Sequence, residues 1–199
     1  MNKKINHIEA YILAGGKSSR MGTDKGLLPF REKVLAEWVI EKLQQAFEKV
    51  TIISNNKEYK IFNIDVVEDI IKEIGPAGGI FTALQHSKAN KIFVVSCDMP
   101  FITKQSIEFI VEKSINSEIT IPVFENKIQP LFGVYAKQCF KQWQQLVEQK
   151  MIKLQEMITH FNVLKIDVTN HELFNKNVFM NVNDKNDLAK ALQNFNHEN

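Results

Sequence analysis

Leu13-Ala14-Gly15-Gly16-Lys17-Ser18-Ser19-Arg20-Met21-Gly22-Thr23-Asp24-Lys25 follows the short apolar run Ala10-Tyr11-Ile12-Leu13, and the junction of the two decides the fold. The apolar run reads as the first buried strand of the chain. A strand that empties into Gly-Gly and then a loop rich in Lys, Ser and Arg builds a cradle for phosphate. Glycines let backbone N–H groups approach closely and adopt positive φ, while Arg20 and Lys25 bring positive charge. Gly16-Lys17-Ser18 matches the end of a Walker A loop, but that motif needs a glycine where Tyr11 stands. The glycines at 15, 16 and 22 also miss the G-x-G-x-x-G spacing of dinucleotide-binding loops. A different nucleotide-handling loop is required.

Outward from this junction, short apolar strands alternate with amphipathic helices, the pattern of an α/β domain around a mostly parallel sheet. The spacing predicts strands at 9–13, 50–54, 64–67, 92–96, 119–123, 129–135 and 162–166. A first long helix is expected over Val34–Phe47, with Leu35, Trp38, Val39, Leu43 and Phe47 on one face. The next follows Gly75-Pro76 and covers about 77–87. Thr103 reads as the N-cap of a helix that turns Ile107, Ile110 and Val111 inward. The last helix opens at Asn183-Asp184 and is expected to bury Leu188, Ala191, Leu192 and Phe195. Residues Glu125-Asn126-Lys127-Ile128 read as a turn, so one antiparallel pair is expected in the second half.

The chain has 199 residues, enough for one well-buried domain and short for two. No repeat and no Pro/Gly-rich linker divides it, so residues 1–199 are read as a single domain. Its 44% apolar and 24% charged residues are ordinary for a globular protein. The net charge of +2 comes from interleaved acids and bases, without the basic stripe of a nucleic-acid surface. Two cysteines, Cys97 and Cys139, make no secreted disulfide framework, and no leader pattern precedes the first strand. The apolar stretches are strand-length, so no membrane contact is expected and the cytoplasm is the expected compartment.

A second signal is Ile92-Phe93-Val94-Val95-Ser96-Cys97-Asp98-Met99-Pro100, a β-branched and aromatic strand that ends at a carboxylate. In open α/β sheets the carboxyl ends of the strands line the ligand crevice, so Gly15 and Asp98 belong at one edge. A hard carboxylate facing a phosphate cradle suits Mg²⁺, which takes oxygen ligands and shares them with substrate phosphates. Alone, Asp-x-Pro is an Asx-turn leading into a helix; beside the 13–25 loop it reads as a metal ligand. Gly75-Pro76-Ala77-Gly78-Gly79-Ile80 allows close backbone approach at a helix start. Asp69, just past the 64–67 strand, can face the same crevice.

Leu-Ala-Gly-Gly-x-Ser-x-Arg-Met-Gly-x-Asp-Lys at 13–25 resembles the opening of the molybdenum cofactor guanylyltransferases. Gly75-Pro76 with Gly78-Gly79, Cys97-Asp98-Met99-Pro100, Gln129-Pro130-Leu131-Phe132-Gly133-Val134-Tyr135 and Asn181-Val182-Asn183-Asp184 follow in that family's order. The resemblance runs from about 8 to 193. It implies a Rossmann-like nucleotidyltransferase fold and transfer of GMP from Mg²⁺-bound GTP to the phosphate of molybdopterin, with release of pyrophosphate. It also implies residue roles. Leu13, Ala14 and Gly15 would lie on the nucleotide, and Gly16 to Arg20 would wrap the phosphates. Lys25 would contact phosphate oxygens, Asp69 would be the guanosine-side acid, and Asp98 would hold Mg²⁺ and GTP. Asn181 and Asn183 would sit near the pterin. Ser54 departs from an Asn common in the family, whose contact would then fall to Asn55. Asp184-Lys185 replaces a common Thr-Pro, and the helix cap is expected to survive. Proteins that load molybdopterin, and target molybdoenzymes or their chaperones, are the macromolecular partners the resemblance brings in.

The reaction needs no general base, because a phosphate monoester is mostly ionised at neutral pH. It needs charge neutralisation and in-line positioning, which Arg20, Lys25, the loop amides and Mg²⁺ on Asp98 would supply. His7, His86, His160, His171 and His197 show no metal-ligand spacing. Cys97 and Cys139 read as small buried hydrophobes, and Phe161, Phe174 and Phe179 as core. Phe132 and Tyr135 are candidates to flank the pterin. Two alternatives remain at this stage: a related cytidylyltransferase that uses CTP on molybdopterin or a sugar or polyol phosphate, and a non-catalytic nucleotide-binding adaptor. Those CTP relatives more often carry Leu-Ala-Ala-Gly, so Gly15 favours the purine nucleotide by resemblance.

Overall fold

A computed structural model of the chain describes residues 3–15 and 24–197, with backbone alone for 195–197. Gly16 and Arg20 therefore lie outside the described residues, as does the Phe195 side chain.

Ten strands and six helices follow one another among the described residues: β1 (Ile8–Leu13), β2 (Pro29–Phe30), β3 (Lys33–Val34), α1 (Leu35–Ala46), β4 (Val50–Ile53), β5 (Asp65–Val67), α2 (Pro76–His86), β6 (Lys91–Ser96), α3 (Lys104–Lys113), β7 (Ile119–Phe124), β8 (Lys127–Ile128), β9 (Phe132–Ala136), α4 (Cys139–Glu148), α5 (Leu154–Met157), β10 (Val163–Asp167) and α6 (Lys185–His197). The main sheet runs β10-β7-β9-β6-β1-β4-β5, with β8 appended to β7. β5, β4, β1 and β6 are mutually parallel, as are β7 and β10. β9 is reversed and pairs antiparallel with both β6 and β7, and the short β8 is likewise antiparallel to β7.

The antiparallel turn falls where Glu125 and Asn126 take φ of 49° and 62°. Two successive left-handed residues make the tight hairpin that matches strand twist. Residues 127–128, expected inside that turn, are instead the short strand β8. The expected strand 129–135 starts late, at Phe132, because Gln129 and Pro130 form a turn closed by the Phe132 amide on the Gln129 carbonyl at 3.1 Å. The β2–β3 hairpin was not foreseen; two-residue strands carry no readable alternation.

Both faces of the central strands are covered, so these strands read as largely apolar runs, while the edge strands β5 and β10 stay half-exposed. Ala10 and Ile12 of β1 face α1 and α3, while Tyr11 and Leu13 face α2 and α4. The same alternation explains a correction. Phe132 and Tyr135 of β9 point to opposite faces and both are fully buried, so neither can flank a pterin. Phe161, Phe174 and Phe179 are core, as are Cys97 and Cys139. Burial pushes the Cys139 thiol up to about 12 and the Cys97 thiol higher still, so neither is a reactive thiolate. The α6 stripe is narrower than expected: Ala191 is buried and Leu188 half-buried, but Leu192 is exposed.

α3 begins as its sequence dictates. The Thr103 side chain accepts from the Ser106 amide, and the Ser106 hydroxyl accepts from the Thr103 amide, a reciprocal cap. α2 begins at Pro76 after Gly75, whose φ of +63° suits glycine.

At the amino end of β1, away from the glycine turn, Glu9 is nearly buried. It accepts hydrogen bonds from Ser87 Oγ at 2.7 Å, Tyr11 Oη at 2.9 Å and Lys49 Nζ at 3.0 Å. Burial alone raises its carboxyl, but the bonds from Ser87, Lys49 and Tyr11 outweigh that and hold it below the ordinary 4.5. A depressed folded-state value means stability present above the unfolded value and lost as pH falls through the folded one. Glu9→Gln is therefore expected to destabilise the protein by about 1–3 kcal/mol at neutral pH. The difference should shrink steadily as pH drops below the ordinary carboxyl range. Thermal unfolding of both proteins at neutral and acid pH checks this.

Candidate active site

Four parallel strands bring their carboxyl ends to one edge. β1 leads through Ala14 to Gly15, β4 to Ser54 and Asn55, β5 to Asp69, and β6 to Asp98. Backbone bonds continue the ladders into these exits: Cys97 N donates to Leu13 O at 3.1 Å, Ala14 N to Ile53 O at 2.9 Å, and Ser54 N to Val67 O at 2.9 Å. The chain moves outward from β1 to β4 and β5, then returns to place β6 on the other side of β1. The strand order reverses between β1 and β6, which opens a crevice there. Gly15 and Asp98 stand on its two sides.

Asp98 is largely buried. Its Oδ1 accepts from Ser96 Oγ at 2.6 Å, and its Oδ2 lies 4.0 Å from Lys25 Nζ. Burial pushes its carboxyl up, and Asp187 adds to this; the Ser96 hydroxyl and the Lys25 ammonium pull it back. Its carbonyl accepts from Val182 N at 2.9 Å, which pins the segment before α6 against the site. Asn183 consequently lies within reach of Lys25, whose Nζ donates to Asn183 Oδ1 at 2.6 Å. Asn181, in contrast, donates to the Phe179 carbonyl at 3.3 Å. Asp184 caps α6 by accepting from the Asn186 and Asp187 amides at 2.9 Å, so the cap survives without Thr-Pro.

Lys25 begins a 3-10 turn, Lys25–Leu27, capped by Asp24, whose Oδ1 accepts from Gly26 N at 3.1 Å. On the β5 side, Asp69 is half-buried and its carboxyl is raised by burial, partly offset by bonds from Thr82 Oγ1 and the Ile71 amide. Thr82 Oγ1 donates to Asp69 Oδ1 at 2.7 Å and accepts from Ile70 N at 3.0 Å. The Asp69 amide donates to Asn55 Oδ1 at 3.2 Å. Ser54 is buried and its hydroxyl accepts from the Asn56 amide at 3.1 Å, so Asn55 is the side chain of this exit that reaches Asp69.

The glycines divide by cause. A Cβ at Gly78 would come within 2.6 Å of the Ile71 carbonyl and 3.1 Å of Asp69 Oδ2, and one at Gly79 within 3.0 Å of Leu13. Glycine is required at 78 by that backbone carbonyl, whereas at 79 the Leu13 side chain would have to give by a few tenths of an ångström. A Cβ at Gly15 would meet nothing within 4 Å among the described residues.

Lys25, Asp69, Asp98, Asn55 and Asn183 are thus gathered at one edge, with Leu13, Ala14 and Gly15 between them; Asn181 turns its amide elsewhere. Sequence reasoning missed Ser96 and Thr82, and also Asn56 and Tyr59, which both donate to the Asp24 carboxylate before Lys25. Ser96 and Thr82 left a signal: one precedes Asp98 by two residues on the same strand end, the other is a hydroxyl inside the apolar run Ala77–Leu84. Among the described residues no three His, Cys, Asp or Glu side chains cluster as a ready-made metal cage. Asp98 alone still fits Mg²⁺, which is held by one or two carboxylates plus substrate phosphates and water.

Lys25, the hard carboxylate of Asp98 and Gly15 meet at the switch point of a mostly parallel sheet, an arrangement suited to a nucleotidyltransferase. Comparison with known proteins agrees. A family model for the MobA-like NTP transferase domain matches residues 10–162, and the chain belongs to that family. It is 30% identical over 197 residues to a probable molybdenum cofactor guanylyltransferase of Carboxydothermus hydrogenoformans, covering 96% of this chain and 98% of that one. A protein of the same description from Clostridium perfringens is 44% identical over 132 residues, covering 65% of this chain and 66% of its own. The crystal structure of molybdopterin-guanine dinucleotide biosynthesis protein A from Archaeoglobus fulgidus superposes with a TM-score of 0.81 at 24% identity, over 96% of this chain and all (100%) of that one. No helix among the described residues is long and apolar enough to cross a membrane.

Proposed function

We propose that this enzyme transfers GMP from GTP to the terminal phosphate of molybdopterin, forming the guanine dinucleotide cofactor and pyrophosphate. The observation that carries the reading is the pairing of Lys25 Nζ with Asp98 Oδ2 at 4.0 Å across the crevice, a cation and a hard carboxylate set for one triphosphate. In the reaction a phosphate oxygen of molybdopterin attacks the α-phosphorus of GTP. The new P–O bond forms as the bond to the bridging oxygen breaks, and pyrophosphate leaves with that electron pair. The nucleophile is already ionised, so no protein base is needed.

The work of the chain is to hold both phosphates in line and to neutralise charge. Lys25 and the backbone amides of the 13–25 segment would meet the triphosphate, with Arg20 and Gly16 assigned to the same tail. Mg²⁺ held by Asp98 would supply Lewis-acid charge compensation on the phosphate oxygens. Asn183 holds Lys25 in register, and Asn181 and Asn183 border the pterin. Leu13, Ala14 and Gly15 lie against the nucleotide, where no described residue comes within 4 Å of a Cβ at Gly15 and a base edge can approach. Asp69, with Asn55 on its amide, reads the guanosine side. The domain is a single unit, works in the cytoplasm and hands its product to molybdoenzymes or their chaperones.

The decisive experiment is transfer of label from α-labelled GTP, CTP or ATP onto molybdopterin in the presence of Mg²⁺, with a chelated control. GTP is expected to be used at least tenfold better than CTP or ATP, and the chelator to stop transfer. Preference for CTP would replace guanylyl with cytidylyl transfer, and absence of transfer from any nucleotide would remove the reading.

A further inference from the structure

Tyr59 lies in a 3-10 helix, Lys57–Phe62, between β4 and β5, and is completely buried. Its ring packs in the core, and its hydroxyl donates to Asp24 Oδ1 at 2.5 Å. The same carboxylate oxygen accepts from the Gly26 amide at 3.1 Å, while Oδ2 accepts from Asn56 Nδ2 at 3.3 Å. Asp24 is therefore fixed from the β4–β5 connection and in turn caps the turn that starts with Lys25. Gly26 completes the arrangement: a Cβ there would overlap the Tyr59 hydroxyl and come within 3.1 Å of Cys97 Sγ. Burial, with Cys97 and Asp24 close by, raises the phenol far above its ordinary range, so the hydroxyl keeps the proton it donates.

We propose that Tyr59 is a positioning residue for the transfer reaction: its hydroxyl locks the Asp24 carboxylate and thereby sets where Lys25 meets the phosphates. The inference rests on the assignment of Lys25 to the triphosphate. Any buried tyrosine hydroxyl needs an acceptor; here that acceptor is the carboxylate that caps the Lys25 turn, with a glycine opposite the oxygen. The exit after β4 also reaches both halves of the crevice, Asn55 to Asp69 on one side, Asn56 and Tyr59 to Asp24 on the other. Lys25 is thus registered against the same segment that holds the guanosine-side acid.

Tyr59→Phe keeps the ring and removes only the hydroxyl. It should lower kcat by about 10- to 100-fold, the weight of a hydrogen bond to a charged group, while KM for GTP moves less than about threefold. Amide exchange should quicken across residues 24–28 and stay unchanged in β1 and β6. Gly26→Ala should reproduce the loss, and the double variant should be clearly less impaired than the sum, because the overlapping oxygen is gone. An unchanged kcat in an active enzyme overturns the proposal, as does a fall in kcat matched by general loss of protection. Should the wild-type chain transfer no nucleotide, the functional reading fails. Amide exchange in Tyr59→Phe then decides alone whether the hydroxyl sets the Lys25 turn, and unchanged protection of residues 24–28 overturns that.

Discussion

Asp98→Asn is expected to reduce guanylyl transfer by at least about 100-fold without loosening the fold. The side chain sits at the switch between β1 and β6, and its shape can be kept while its charge is removed. Asparagine Oδ1 can still accept from Ser96 Oγ, and the backbone bond from Val182 to the carbonyl of residue 98 is unaffected. What disappears is the anionic oxygen that faces Lys25, the one suited to Mg²⁺. Burial disfavours the charged carboxylate and pushes its pKa up, and among the described residues Lys25 is the one cation near it. A neutral isostere removes that desolvation cost along with the attraction to Lys25, so the unfolding midpoint should not fall. Stability traded against activity at one residue is characteristic of a site kept for chemistry. Turnover at saturating Mg²⁺ and GTP, with thermal unfolding of the free protein, gives both numbers. A variant that is active, or one inactive only because its midpoint has collapsed, would contradict the role given to Asp98.

The fold was legible wherever one local cause governs. β1, β4, β6 and β7 lie within a residue or two of the expected limits because both their faces are covered and their runs are largely apolar, while the half-exposed edge strand β10 is shifted by one residue. Thr103 and Asp184 announced their helices through side chains that bond the first turn. The late start of β9 was hidden because an apolar run does not reveal where a turn consumes its first residues. The burial of Phe132 and Tyr135 was hidden by the same two-sided cover, since alternation marks a face but not whether a helix lies on it. At the site, residues at strand ends were found and their supports were not. Asp98, Asp69 and Gly15 declare themselves by place in the strand pattern, whereas Tyr59 meets Asp24 across 35 positions of chain. The link from Lys25 to Asn183 spans 158, and nothing local encodes either pairing.

Lys25→Ala is the second large effect, expected to lower kcat by about 100- to 1000-fold. Lys25 is half-exposed on a capped turn, so its side chain contributes little to the core and the variant should fold. In the free protein its ammonium is already held, by Asn183 Oδ1 at 2.6 Å and by Asp98 at 4.0 Å, so the charge waits in place before substrate arrives. Such preorganisation gives an ion its catalytic weight, because no reorientation is needed as charge builds on the leaving pyrophosphate. The loss should therefore appear in kcat more than in KM for GTP. Lys25→Arg is expected to recover less than about a tenth of the activity. A planar guanidinium cannot occupy the position of a compact ammonium between Asn183 and Asp98 without shifting one of them. Asn183→Ala should fall between these, retaining the cation but not its register. Steady-state kinetics of the three variants, with circular dichroism to establish folding, orders them. Full activity in Lys25→Arg would show that charge alone suffices, and near-normal turnover in Lys25→Ala would place the phosphates elsewhere in the crevice.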